Sequence, residues 1–217
     1  DEAQKQRRNA VVCYDLKSGL LVNRYDASDA SQLNDLAVAA DGTIYATDSG
    51  SGTLFRKRPA EKTLTPFGAK GALAGANGIT LGADGSLYVA ISTGIARVDL
   101  SSGAPTRLPQ PDTVATGGCD GLYWHKGDLV GIQNVTNPGR VIRIALADHG
   151  TRISGVKVLQ SHHHPEFTEP TTGATAGDVL YVIANSYVGH FQPNGSLKNP
   201  EELKQTAIVA APLGSTE

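Results

Sequence analysis

The chain repeats itself, and that repeat constrains its fold more than any other feature. Residues 33–46 and 76–89 each read as an alternating apolar strand opened near an Asn, an Ala-Asp-Gly turn, and a second strand carrying Tyr. A third copy opens at Cys119-Asp120-Gly121-Leu122-Tyr123-Trp124, turns at Lys126-Gly127-Asp128 and continues Leu129-Val130-Gly131-Ile132. A fourth, looser copy runs over residues 169–174, turns at Gly177-Asp178 and continues Val179-Leu180-Tyr181-Val182. Asn34 to Asn77 and Asn77 to Asp120 are both 43 residues; Gly127 to Gly177 is 50, the extra length falling in a His-rich loop. The segments alternate with period two, which excludes helical repeats. Short strands recurring at this period are the signature of a β-propeller. Asp-Gly between strands predicts a tight hairpin with positive φ at both central residues.

Blades therefore begin near residues 33, 76, 119 and 168 of one all-β propeller domain over 1–217. Residues 94–100 and 140–146 read as outer strands. Residues 11–16, the turn Lys17-Ser18-Gly19 and residues 20–22 match only that outer half. The expectation is about four and a half blades, with the N-terminal blades missing and an open arc that exposes strand edges. The sequence starts at Asp1 and contains no Met, as a processed or partial chain would. Residues 1–10 read as loop, residues 198–206 as loop or helical turn, and residues 207–211 as a last strand.

Composition removes several function classes. Net charge is -2, from 19 basic and 21 acidic residues, with no basic stripe, so nucleic acid is not an expected partner. Apolar runs such as residues 179–184 are too short to span a bilayer, so no membrane partner is expected either. Mean hydropathy is -0.20, which suits a soluble chain. A periplasmic or secreted location is favoured over a cytoplasmic one. Cys13 and Cys119 form neither a disulfide framework nor a metal cluster, and each is expected to pack as a small buried hydrophobe. The sequence has no Gly-x-Ser-x-Gly, no phosphate loop and no telling Cys-His spacing.

In a propeller the first strand of each blade lines the channel, so the residue opening it recurs as a ring. That position reads Asn34, Asn77 and Asp120, with Glu169 or Pro170 in the fourth copy. Amide and carboxylate oxygens suit a hard or borderline cation such as Ca²⁺, Mg²⁺, Mn²⁺ or Zn²⁺. The plainer alternative is that Asn and Asp before Gly are strand-entry residues bonding their own backbone. His162-His163-His164 looks like a metal tract, but three adjacent side chains cannot face one ion, and a solvated loop is the expectation. His125 is expected in a turn beside Trp124. Asn134-Val135-Thr136 and Asn194-Gly195-Ser196 match a glycosylation pattern short enough to arise by chance.

Asn34-Asp35, Ala76-Asn77-Gly78-Ile79 with Ala83-Asp84-Gly85, and Cys119-Asp120-Gly121-Leu122 resemble the SMP-30/gluconolactonase/LRE-like (regucalcin-like) family of six-bladed propellers. Thr168-Glu169-Pro170 and residues 178–182 resemble that family's last blade. NHL-repeat propellers share the same rhythm. The resemblance implies a divalent-metal-dependent hydrolase of small lactones. It assigns Asn77 and Asp120 as metal ligands, Asp120 also as catalytic base, and Asn34 with Asp35 as substrate-binding residues. Glu169 is a candidate third ligand, because the family's first-blade Glu has no counterpart here. The sequence departs from the family's Asn-Asp-Gly at Leu36. The competing reading is a non-catalytic, NHL-like propeller that binds a protein or small ligand on one face.

Overall fold

The structure is a computed structural model and describes residues 8–135, 139–161, 163–192 and 194–214. The chain forms two compact units, Asp1–Arg107 and Leu108–Glu217. Each is a series of antiparallel meanders, as the period-two alternation requires.

In the first unit, β1 (Ala10–Tyr14) and β2 (Leu21–Asp26) pair as a two-stranded sheet. Next come β3 (Leu33–Val38), β4 (Ile44–Asp48), β5 (Thr53–Lys57) and β6 (Thr65–Phe67), hydrogen-bonded in that order. A second four-stranded meander follows: β7 (Ile79–Leu81), β8 (Leu87–Ile91), β9 (Gly94–Val98) and β10 (Pro105–Arg107). Strand β5 buries both faces because a sheet lies on either side of it. Leu54 packs with Phe67, Ile79, Leu87 and Val89 of its own and the following sheet. Phe55 packs instead with Val11, Ala27 and Leu64.

The second unit holds β11 (Cys119–His125), β12 (Asp128–Gln133), β13 (Arg140–Ala147) and β14 (Arg152–Gln160) in one sheet. A three-stranded sheet follows, made of β15 (Gly173–Ala176), β16 (Val179–Ile183) and β17 (Ile208–Pro212). Val130, Ile132 and Val141 meet Leu180, Val182, Val209 and Ala211 between the two sheets. Ile142 in β13 is wholly buried. Ile142→Val should therefore cost about 1 kcal/mol, visible as a lower urea midpoint at unchanged slope. A short 3₁₀ turn, Pro200–Glu202, precedes β17, where a loop or helical turn was expected. Among the described residues, no helix is long and apolar enough to cross a membrane.

The hairpins correct one expectation. At Asp41-Gly42 and Asp84-Gly85 only the glycine has positive φ, 83° and 80°. The loop is longer than a two-residue turn: Ala39 N–H donates to Thr43 O, and the Asp41 carboxylate accepts from both the N–H and the hydroxyl of Thr43. Asp84 caps Ser86 in the same way. Among these blade-opening hairpins, both turn residues are at positive φ at Lys126-Gly127, 48° and 95°.

Two further expectations change. Cys13 is exposed, because the core beneath β1 reaches only Val11. Cys119 is buried as expected, and burial pushes its thiol up to about 12. His125 ends β11 rather than sitting in the turn, is 7% exposed, and has Nε2 3.3 Å from Asp178 Oδ1.

Candidate functional site

The same irregularity opens each of the four sheets that begin with β3, β7, β11 and β15. In β3 the register shifts between Leu33 and Leu36, setting Asn34 and Asp35 against Thr47. Ahead of β7, Asn77 N–H donates to Ala90 O at 3.0 Å and Ala90 N–H to Gly78 O at 2.8 Å, so two residues again face one. In β11 the shift between Cys119 and Leu122 sets Asp120 and Gly121 against Ile132. Ahead of β15, Thr171 N–H donates to Ile183 O at 3.1 Å and Ile183 N–H to Thr172 O at 2.9 Å. Each is a β-bulge, a device that re-aims a side chain at a strand end. The equivalent residues are thus Asn34, Asn77, Asp120 and Thr171. Glu169 stands two residues upstream of that register, and Pro170 one.

In the first unit Asn34, Asp35 and Asn77 are stitched together. Asn34 Nδ2 donates to Ser49 Oγ at 2.9 Å, and Ser49 Oγ donates to Ala76 O at 2.5 Å. Thr47, wholly buried, receives Asp35 N–H on its hydroxyl and donates that hydroxyl to Asn77 O at 2.7 Å. Asp35 Oδ2 accepts Ile79 N–H at 3.1 Å and Oδ1 accepts Leu36 N–H at 2.8 Å. Both oxygens of Asp35, expected to bind substrate, thus serve the backbone. Asn77 differs: its Oδ1 is buried and has no hydrogen-bond partner among the described residues.

In the second unit Asp120 Oδ2 accepts from Asn134 Nδ2 at 2.6 Å. Asn134 occupies the repeat position of Ser49, one past the second strand. Gly121 N–H donates to Thr171 O at 3.2 Å, joining the bulges of the two sheets. A side chain on Gly121 would strike the Tyr123 hydroxyl, which accepts Gly173 N–H at 2.7 Å. The Glu169 carboxylate accepts Gly189 N–H, at 3.1 Å to Oε1 and 3.4 Å to Oε2. Among the described residues no three His, Cys, Asp or Glu side chains gather as a metal cluster. His163 bonds Ser161 and His164 accepts Glu166 N–H, while His162 and Thr136 lie outside the described residues. A cavity of about 320 Å³ in the first unit, lined by Arg8, Asn9, Asp26, Ala27, Ser28 and Ala30, contains none of the predicted residues.

Thr171, Ser49, Asn134 and Thr47 were not singled out by the repeat. Counting back six residues from the first turn residue would have found Thr171, since Lys126 to Asp120 and Gly177 to Thr171 are the same step.

No family model matches the sequence, and no curated protein does. Solved structures match with high probability. Virginiamycin B lyase from Staphylococcus aureus is 15% identical with TM-score 0.58, over 96% of this chain and 64% of that one. A gluconolactonase from Xanthomonas campestris is 19% identical with TM-score 0.57, over 81% of this chain and 62% of that one. A luciferin-regenerating enzyme is 17% identical with TM-score 0.63, over 96% of this chain and 72% of that one. The chain spans less than two thirds of the first two. Likeness at these identities fixes the fold, an all-β propeller.

Proposed function

We propose that this chain belongs to a divalent-cation-dependent hydrolase of small lactones, with Asn77 and Asp120 as oxygen ligands and Asp120 also as base. The observation that carries the reading is Asn77 Oδ1. A buried acceptor without a donor is costly, and calls for a partner from outside the chain. The equivalent Asn34 and Asp120 side chains each hold an internal partner through Ser49 and Asn134, so Asn77 is the position built differently. An amide and a carboxylate oxygen suit Ca²⁺, Mg²⁺ or Mn²⁺, and Zn²⁺ less well. When bound, such a cation supplies polarisation of a carbonyl oxygen and a lowered pKa for water. Asn134 holds one oxygen of Asp120, so that the carboxylate keeps a fixed orientation from which to take a proton. Asn34, exposed and steadied by Ser49, is placed to contact substrate.

The test is calorimetric titration of the full-length protein with Ca²⁺, Mg²⁺, Mn²⁺ and Zn²⁺, beside lactone hydrolysis followed by proton release. Asn77→Ala should weaken cation binding by about tenfold. Without cation it should leave the melting temperature unchanged or slightly raised, because it removes an unpartnered buried oxygen. A full-length protein that binds no divalent ion and opens no lactone is a ligand-binding propeller instead.

A further inference from the structure

We propose that Glu169 is a positioning residue that holds an apolar turn beside Asp120, and that this turn selects lactones carrying an apolar substituent. The inference rests on the function proposed above. After β16 the chain passes through Tyr187, at φ 54°, into a 3₁₀ turn, Val188–His190. A bulky residue in the left-handed region is held there only by its surroundings. Here those surroundings are specific. Glu169 takes Gly189 N–H on its carboxylate, and its own carbonyl oxygen accepts both the N–H and the hydroxyl of Ser186. His190 Nδ1 lies 2.8 Å from Lys198 O, Lys198 N–H donates to His190 O, and Phe191 bridges Leu197. The Tyr187 and His190 rings meet edge-on at 5.5 Å.

What this braced turn presents is apolar. Val188 is 58% exposed, Phe191 60% and Leu197 38%. One exposed apolar side chain is ordinary, but three on one short braced segment form a patch that favours an apolar ligand. Its place in the second unit supplies the ligand. Glu169 lies two residues before Thr171, whose carbonyl accepts the N–H of Gly121, the residue after Asp120. Through Glu169 and Thr171 the turn is therefore tied to the bulge of β11 that carries Asp120. The substituent of a ring opened beside Asp120 would rest on Val188 and Phe191. Polyhydroxylated sugar lactones would gain nothing there.

The experiment measures kcat/KM of the full-length protein on γ-lactones of increasing alkyl length. Native protein should favour the longest chain. Val188→Ser with Phe191→Ser should cut the ratio of long-chain to unsubstituted kcat/KM by roughly tenfold. Glu169→Ala should raise KM for the long-chain lactone more than it lowers kcat. Glu169→Gln should restore that KM, because an amide oxygen accepts the same Gly189 N–H. A native series with no dependence on alkyl length, with the unsubstituted lactone hydrolysed, overturns this inference alone. A large loss of divalent affinity in Glu169→Gln overturns the positioning role, since it would make Glu169 a ligand. If no lactone of any length is opened, the function beneath the inference fails and the inference with it.

Discussion

Asp48→Ala should destabilise the first unit by about 3 kcal/mol, since several partly buried N–H groups lose a charged acceptor at once. Asp48 ends β4, is wholly buried, and accepts from Ser31 N–H and Gln32 N–H at 2.7 Å each. Gly50 N–H at 3.0 Å, Ser51 N–H at 3.3 Å and the Ser51 hydroxyl at 2.8 Å donate to it as well. One carboxylate thus ties the segment entering β3 to the turn leaving β4. Burial alone would raise its pKa, but the hydrogen bonds from Ser31, Ser51 and Gln32 outweigh burial and hold it below 3.8. A carboxyl depressed in the folded state contributes stability above its unfolded pKa and loses it as pH falls through the folded value. Native protein should therefore shed this contribution only below about pH 3.8. Asp48→Asn should start less stable and lack that acid-range component. Urea midpoints measured between pH 7 and pH 2.5 decide it; an unchanged midpoint for Asp48→Ala would show the carboxylate to be dispensable.

On the function proposed here, Asp120→Asn should be the most damaging substitution for activity. It removes the charge from the carboxylate at the ring position while keeping an oxygen for the 2.6 Å bond from Asn134. Folding should survive, and the melting temperature without added cation should stay near the native one. Divalent affinity should fall at least about a hundredfold, because ligand charge sets the affinity of such sites. Lactone turnover should fall with it, since the proton acceptor is lost as well. Titration calorimetry and initial rates on the same preparation check both. Native rates in Asp120→Asn would refute its role as base.

The repeat made the blades legible because a hairpin needs both an alternating strand and a turn residue, and sequence shows both. Asn34, Asn77 and Asp120 were legible for the same reason, as each precedes its turn by a nearly constant step. Thr171 was not. The third and fourth hairpins both turn on two residues, but glycine comes second in Lys126-Gly127 and first in Gly177-Asp178, so aligning glycine on glycine slid the register by one. Asp48 was invisible because the equivalent residues are Ile91 and Gln133, and no pattern of residue type marks the position. Gln133 does the same work with an amide, donating to Ala115 O and Gly117 O. The hydroxyl of Tyr123 was hidden too: alternation places the ring on a face, but only pairing across to Gly173 reveals its partner.

The bulge that opens each blade also separates what the backbone needs from what the chemistry needs. Its main-chain bonds are satisfied alike whether the leading residue is Asn77 or Thr171, because both donate N–H to the carbonyl of the facing strand. The strand therefore exerts little selection on the side chain there. Asn, Asp and Thr all occupy that position within one chain, on the same pattern of main-chain bonds. A lineage carrying this scaffold could alter the chemistry shown at the opening of one strand by changing a single codon there, leaving the packed sheet behind it untouched.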